Sequence, residues 1–311
     1  MKARIWTALI AVYIAWGSTY LAIRFAVETM PPFLMAATRF LIAGAILFTW
    51  RRVAGDPLPT RSQWRSAAII GLLMLLGGNG AVTWAEQRVV SGVAALIVGA
   101  APLWMVLMDA FRPGGKRPTW QTWLGVLWGF GGIALLVGPA EFSGNGAQID
   151  LVGVGVLLLA AFLWSAGSLY SRSAHLPASP LLGTSMEMLT GGTGLLISGT
   201  LTGEWSRVDL ASIKMTSVLG LLYLIVFGSL IGFAAYTWLL RSAPTPLVST
   251  YAYVNPLVAI FIGNLLASEP LTPRILLAAI VIVSSVVLIN TARAAVPKAE
   301  APAAASYTGD D

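Results

Sequence analysis

Ten stretches of the chain are apolar for about 20 residues, the length that an α-helix needs to cross the hydrocarbon core of a bilayer. Short polar segments connect them, so the pattern predicts a compact helical bundle. The expected fold class is an all-α integral membrane protein with ten transmembrane helices. The predicted spans cover approximately residues 5–26, 32–50, 67–86, 90–110, 119–138, 150–171, 179–201, 213–240, 246–267 and 272–291.

The composition also favours a membrane protein. Of the 311 residues, 57% are hydrophobic and 10% are charged, whereas about 25% are charged in a typical soluble domain. A single soluble core could not bury this much apolar surface. The net charge of +6 is compatible with a nucleic-acid partner, but the basic residues lie in short loops and form no stripe, so none is expected. The first apolar run lacks a clear small-x-small cleavage site, which favours a retained span over a signal peptide.

Lysine and arginine indicate the orientation, because the cytoplasmic loops of membrane proteins are enriched in them. With ten spans, most of these residues fall on one side: Lys2, Arg4, Arg51, Arg52, Arg61, Arg65, Arg112, Lys116, Arg117, Arg172, Arg241, Arg293 and Lys298. The other side holds Arg88, Arg207, Lys214 and Arg274. Both termini are therefore expected in the cytoplasm. Residues 294–311 are rich in Ala and Pro, and we expect them to form a disordered cytoplasmic tail.

The second half of the chain repeats the first. At an offset of 148 residues, "WGSTYLAIR" (16–24) lies over "WSAGSLYSR" (164–172); further along, the offset becomes 154 and then 153. The matched residues include Trp16 with Trp164, Arg24 with Arg172, Pro32 with Pro180, Gly44 with Gly192, Thr83-Trp84 with Thr237-Trp238, and Pro102 with Pro256. Each copy has five spans, an odd number, so the second copy would enter the membrane from the opposite side. Inverted repeats are typical of secondary transporters, whose substrate sites lie near the midplane.

The chain resembles the drug/metabolite transporter superfamily, with two EamA-type modules, and most of all the YedA-type inner-membrane transporters. The segments that carry the resemblance are "YIAWGSTYLAIR" (13–24), "PPFLMAATRFLIAG" (31–44), "GGNGAVTWAEQ" (77–87), "SGVAALIVGAAPLW" (91–104) and "STYAYVNPLVA" (249–259). It implies a multi-pass protein of the bacterial inner membrane that exports amino acids, other metabolites or drug-like compounds. The expected modules cover residues 5–139 (spans 1–5) and 149–291 (spans 6–10).

Two charged residues within the spans are candidates for substrate binding or coupling. A charge near mid-bilayer is costly and is therefore rare without a function. Glu187 lies about eight residues into span 7, and Arg39 is its match at the offset of 148. On one interpretation Glu187 binds a substrate amine or a proton and Arg39 binds a carboxylate. On the other, the two residues pair with each other or bind backbone carbonyls, and they hold the repeats together.

Aromatic and polar residues within the spans are further candidates for the lining of a cavity. Tryptophan and tyrosine normally mark the membrane interfaces, but Trp16 and Trp164 lie too deep in their spans for that. The other candidates are Ser18, Tyr20, Asn79, Tyr251, Tyr253 and Asn255. Simple packing is the alternative for each. Glu86, at the end of span 3, is expected to be an interfacial charge beside Arg88.

Pro102 and Pro256 occupy matched positions in spans 4 and 9. A proline within a helix frees a carbonyl group one turn earlier and permits bending. The pair could be two hinges of a rocking motion or two static kinks. Gly125-x-x-x-Gly129 and Gly228-x-x-x-Gly232 are expected to serve internal helix packing, with dimer formation as the alternative.

Several functional classes lack their signatures. "RPGGKRP" (112–118) has neither the spacing nor the hydroxyl of an ATP-binding loop. With one histidine and no cysteine, no metal or haem site is expected. No cofactor and no catalytic residue are therefore expected, the protein is not expected to be an enzyme, and proton coupling is left open.

The expected partners are a small-molecule substrate and the lipid bilayer, with a monomeric or homodimeric state. The main expectation is a secondary transporter that exports small metabolites by alternating access. The alternatives are an importer or facilitator of sugars or nucleotide-sugars, and a membrane scaffold or receptor that transports nothing.

Overall fold

A computed structural model of the protein describes residues 2–111, 118–138, 150–243, 245–248 and 250–294. Within these ranges the chain forms helices and no β-strand. The expected tail lies outside the described residues from position 295 onward. The long helices are α1 (Lys2–Val27), α2 (Pro32–Val53), α3 (Arg61–Ala85), α4 (Ser91–Phe111), α5 (Trp120–Val137), α6 (Leu151–Ser171), α7 (Pro180–Leu201), α8 (Met215–Ser242), α9 (Tyr251–Ala267) and α10 (Pro273–Ala294). A short 3-10 helix covers Glu204–Arg207, and an α-helix of four residues covers Thr245–Val248.

Eight of these helices are long and apolar enough to cross a membrane. Helix α9 is apolar but has only 17 residues. Helix α7 has 22 residues, but Glu187 and its glycines make it less apolar. Helix α3 begins at Arg61 and not near residue 67, because Thr60 and Gln63 form a reciprocal capping box.

Two helices contain a π-helical stretch, and a third helix is interrupted. The π-helical stretches are Gly71–Gly80 in α3 and Leu224–Ile231 in α8, and such wide turns are often found at functional sites. Helix α4 is interrupted at Ala100, directly before the expected bend at Pro102. Pro256 lies inside α9.

Glycines allow α7 to pack closely on α2 and α3. A Cβ atom added at Gly44 would lie 3.0 Å from the Cβ of Met188, and one added at Gly192 would lie 3.0 Å from the Cγ of Leu41. At Gly71 an added Cβ would come within 2.5 Å of the backbone oxygen of Glu187. Larger side chains at these positions would push the helices apart.

Helix contacts between the two halves occur in matched pairs. A Cβ atom added at Gly78 would lie 3.1 Å from the Trp164 ring, and one added at Gly232 would clash with the Trp16 ring. Gly78 and Gly232 are 154 residues apart, and Trp16 and Trp164 are 148 apart. These are the offsets at which the halves align. The residues that form the contact between α3 and α6 therefore match, in the alignment of the two halves, those that form the contact between α8 and α1.

The contact between α5 and α10 follows the same rule. Gly129 faces Ser285, and Gly132 faces Ile282. The positions 129 and 282, and likewise 132 and 285, are 153 residues apart. Since Gly125 also faces Ile289 of α10, the expectation that Gly125 and Gly129 serve internal packing is confirmed.

Two loop glutamates fix the ends of helices that are distant in sequence. The carboxylate of Glu204, which follows α7, accepts hydrogen bonds from the backbone N–H groups of Phe33 (3.3 Å) and Leu34 (2.9 Å) at the start of α2. Glu269, which follows α9, accepts them from Ser91 and Gly92 at the start of α4, each at 3.0 Å. Carboxylates satisfy the free N–H groups of a helix N-terminus and complement its dipole.

Candidate functional site: a central cavity

A cavity of about 420 Å³ lies between the helices, within the range of sites that bind small molecules. Its lining comes from both halves of the chain: from α1 to α4 on one side and from α6, α8, α9 and α10 on the other. Aromatic rings, amides, two arginines and small apolar residues make up this lining. No aspartate or glutamate occurs among the described residues that line it.

Trp16 forms one wall of the cavity. Its Nε1 donates a hydrogen bond to the backbone oxygen of Gly228 at 3.1 Å. The Trp16 ring packs against Phe233, Tyr236 and Tyr251, with centroid distances of 5.0 to 5.3 Å. Because the ring is held on several sides, it forms a rigid aromatic surface on which an apolar part of a ligand could lie.

Arg39 is the buried one of the two arginines in the cavity wall. Its side chain is only 3% exposed, and its Nε donates a hydrogen bond to Ser229 Oγ at 2.9 Å. The guanidinium carbon also lies 4.7 Å from the centre of the Phe40 ring. Nη1 is buried and has no hydrogen-bond partner among the described residues. A buried guanidinium N–H without a partner is costly, and a ligand carboxylate would satisfy it.

Three amides of the cavity lining also have buried polar atoms without partners. These are Oδ1 of Asn79, Oδ1 of Asn255 and Nδ2 of Asn290. The lining of the cavity thus combines the two arginines and three amide side chains with apolar walls. A site of this kind suits a small molecule with an anionic group and an apolar or aromatic body.

The structure brings together most of the residues that the sequence singled out. The predicted residues that line the cavity are Trp16, Tyr20, Arg39, Asn79, Pro102, Trp164, Tyr251, Asn255 and Pro256. They come from six helices, and whether they bind substrate or act as hinges stays a prediction.

Ser18, Tyr253 and Glu187 do not line this cavity. Ser18 is turned toward α8, where its Oγ lies 2.6 Å from the Tyr223 hydroxyl. The alternative in which Glu187 pairs with Arg39 is wrong, because no ion pair joins them in the described part of the chain. The reason is the rotation of the two helices about their axes. The backbone of Glu187 lies against Gly71 of α3, whereas Arg39 points toward α8.

Sequence reasoning missed Glu269 and misjudged Glu86. Glu86 is not an interfacial charge, because it is only 4% exposed and both of its carboxylate oxygens are buried. Helical spacing could have revealed this, since positions 79, 82 and 86 share one helix face. Thr19, Arg172 and Asn290 also line the cavity and were not predicted as site residues. Asn290 is a single amide in the last apolar run, and no sequence pattern indicates that it lines a cavity.

The fold and the cavity define a multi-pass membrane protein with an interior cavity of the size that binds small molecules. The model of the EamA-like transporter family matches residues 4–138 and 151–291, and the chain belongs to this family.

Several named relatives extend over nearly the whole chain. The "Uncharacterized inner membrane transporter YedA" of Escherichia coli (strain K12) is 40% identical over 286 residues, which cover 91% of this chain and 89% of the relative. The "Uncharacterized transporter YvbV" of Bacillus subtilis is 26% identical and covers 92% of each chain. The "Probable amino-acid metabolite efflux pump" of Escherichia coli (strain K12) is 25% identical over 301 residues, 88% of this chain and 90% of the relative. A protein of known crystal structure has the same fold, with a TM-score of 0.63 and 20% identity over 93% of this chain and 97% of that one.

Proposed function

We propose that the protein is a secondary transporter that exports small metabolites, amino acids or amphipathic drug-like compounds, across the bacterial inner membrane by alternating access. The observation that carries this proposal is the cavity with the unpaired Nη1 of Arg39. A membrane scaffold has no need of a buried cation that faces a cavity of solute size. The name of the amino-acid efflux relative points to the same substrate class.

The mechanism follows from two inverted repeats, residues 5–139 and 149–291, which together contribute ten spans. The matched contacts support this arrangement, because a two-fold relation between the halves exchanges each contact with its partner. A further pair of contacts joins residues that match at the offsets of 148 and 154. Ser165 Oγ donates to the oxygen of Ala101 at 2.9 Å, and a Cβ at Gly17 would lie 3.2 Å from the oxygen of Asn255. If the two repeats exchange their conformations, access to the cavity changes sides.

In the proposed orientation, with both termini in the cytoplasm, we assign this conformation to an inward-facing state. The cavity extends to Arg172, which is exposed and lies at the cytoplasmic end of α6. At the opposite end, the Arg24–Glu269 ion pair joins α1 to the loop after α9. Substrate would enter from the cytoplasm and place an anionic group at Arg39 and its apolar part against Trp16.

The test is a thermal-shift screen of the purified protein against amino acids, sugars and nucleotide-sugars, followed by transport of each hit in proteoliposomes. A ligand that binds the folded state raises its apparent stability. We expect carboxylate-containing metabolites to stabilise the protein and to be exchanged across the membrane. Stabilisation by sugars alone would favour the importer alternative, and transport of none of these compounds would favour the scaffold.

A further inference from the structure

Glu86 is a buried acid at the end of α3 to which the proposed function gives no role. Neither of its carboxylate oxygens has a hydrogen-bond partner of normal geometry in the part of the chain described. Its backbone N–H continues the helix to the oxygen of Val82 at 3.0 Å. Val82 and Asn79 line the cavity, on the helix face that also bears Glu86. Glu86 therefore lies one turn beyond the cavity, on the way to the end of the bundle that Arg24 and Glu269 close.

Glu269, in contrast, is fully satisfied. Arg24 Nη1 donates a hydrogen bond to its carboxylate, Ser91 Oγ donates at 2.7 Å, and the N–H groups of Ser91 and Gly92 donate at 3.0 Å. The Glu269 side chain is 4% exposed and therefore buried, whereas the Arg24 side chain is 35% exposed. The ion pair and the cap together hold α1, α4 and the loop after α9 against one another.

The groups that face Glu86 come from three parts of the bundle. Arg24 of α1, Arg39 of α2 and Glu269 are the charged residues that act on its carboxylate, and Tyr20 of α1 is the other titratable group nearby. Arg24 pairs with Glu269, and Arg39 donates through Nε to Ser229, so neither cation forms an ion pair with Glu86 in the described part of the chain. A buried carboxylate anion without hydrogen bonds is far more costly than the neutral acid. This conformation therefore accommodates Glu86 in its protonated form.

We infer that Glu86 is the proton-binding residue of a proton/substrate antiport, and that its ionisation opens the end of the bundle closed by Arg24 and Glu269. In the inward-facing state the proton leaves through the cavity to the cytoplasm. The Glu86 carboxylate then competes with Glu269 for Arg24, the ion pair separates, and the outer end opens. A proton from the external solution returns Glu86 to the neutral acid, and Arg24 pairs with Glu269 again. One proton enters the cell for each substrate that leaves.

This inference rests on the proposed function, because it requires an outward-facing state. It can be tested without a known substrate, since the sequence contains no cysteine. A Val82→Cys thiol in the cavity wall, a position 5% exposed here, would react from outside only when the outer end is open. The probe is a membrane-impermeant maleimide added to spheroplasts at values from about pH 5 to about pH 9. Labelling of Ala211→Cys, an exposed position in the loop after α7, corrects for the pH dependence of the thiol itself.

We expect the corrected labelling of Val82→Cys to rise with pH, by up to about tenfold per pH unit when one proton is linked to opening. Glu86→Gln, which mimics the neutral acid, should keep labelling low at every pH. Glu86→Asp should retain the pH dependence with a displaced midpoint. Glu28→Gln, which changes an exposed acid near the same end, should leave the profile unchanged.

A pH profile that survives Glu86→Gln, in protein that remains monodisperse, overturns the inference. If Glu86→Gln does not yield folded protein, an unchanged midpoint in Glu86→Asp overturns it equally. A Val82→Cys variant that is never labelled from outside, while Ala211→Cys is labelled, contradicts alternating access and so the proposed function itself.

Discussion

Arg39 Nε donates a hydrogen bond of 2.9 Å to Ser229 Oγ, which ties α2 of the first half of the chain to the π-helical stretch of α8 in the second. The bond restrains the guanidinium group within the wall of the cavity. Nη1 is left without a partner. The substrate-binding role proposed for Arg39 depends on this arrangement.

Arg39→Gln should weaken the binding of a carboxylate ligand by roughly 10- to 100-fold, because a hydrogen bond to a charged group contributes about 1.5–3 kcal/mol. Arg39→Lys should have an intermediate effect, since the charge remains but the forked geometry is lost. The measurement is the dissociation constant for the strongest carboxylate found in the thermal-shift screen. The control is Arg65→Gln, at an exposed position. Unchanged affinity in Arg39→Gln would remove Arg39 from the binding site.

The sequence predicted the helices better than it predicted their mutual orientation. Apolar length locates most of the helices to within a few residues. The depth of Trp16 and Trp164 in their spans made both candidates for a cavity lining, with simple packing as the alternative, and both line the cavity. The rotation of a helix about its axis depends on how neighbouring side chains pack. Glu187 and Arg39 therefore matched in sequence but face different helices.

The burial of the acids at helix ends could not be predicted from the sequence either. Glu86 and Glu269 both lie beside polar residues, where an exposed charge is the ordinary expectation. Their burial arises because the ends of α1, α4 and α9 converge there, which only the packed structure reveals. The start of α3 was missed for a local reason, the capping box of Thr60 and Gln63.

Gly71→Ala should destabilise the protein by about 1–3 kcal/mol, the usual cost of overpacking a tight contact. The added methyl group would come within 2.5 Å of the backbone oxygen of Glu187 and of Thr190 Oγ1. Gly155→Ala is the matched control, because a Cβ at that helical glycine would meet nothing within 4 Å. Thermal unfolding in detergent compares the two variants. Equal melting temperatures would contradict the close contact of α3 with α7.

Glu204→Ala should destabilise the protein by about 0.5–2 kcal/mol, the range measured for the loss of a helix cap. Its carboxylate satisfies the N–H groups of Phe33 and Leu34, which would otherwise be left without partners at a buried helix end. Glu204→Gln should recover part of the loss, since an amide oxygen still accepts a hydrogen bond. Thermal unfolding measures both variants, and a stability equal to that of the wild type in Glu204→Ala would exclude the capping role.

Cysteines introduced at Ala54 and Ala211 should be labelled from opposite sides of the membrane. Both positions are exposed and lie in loops, after α2 and after α7 respectively. The excess of lysine and arginine predicts that the first loop is cytoplasmic and that the second is external. An impermeant maleimide applied to intact spheroplasts should therefore react with Ala211→Cys alone. Reaction at both positions would contradict the ten-span topology, and reaction at Ala54→Cys alone would reverse the orientation.

Counterflow in proteoliposomes shows whether substrate passes through the cavity between the two halves. Vesicles loaded with a mixture of unlabelled amino acids are diluted into the same compounds labelled with ¹³C, and uptake of label is followed by mass spectrometry. Ala252→Phe would place a ring in the cavity, which Ala252 lines. Ala45→Phe makes the same change at an exposed position of α2. We predict exchange by the wild type and by Ala45→Phe, and its loss in folded Ala252→Phe. Exchange that persists at the wild-type rate in Ala252→Phe would contradict a route through this cavity.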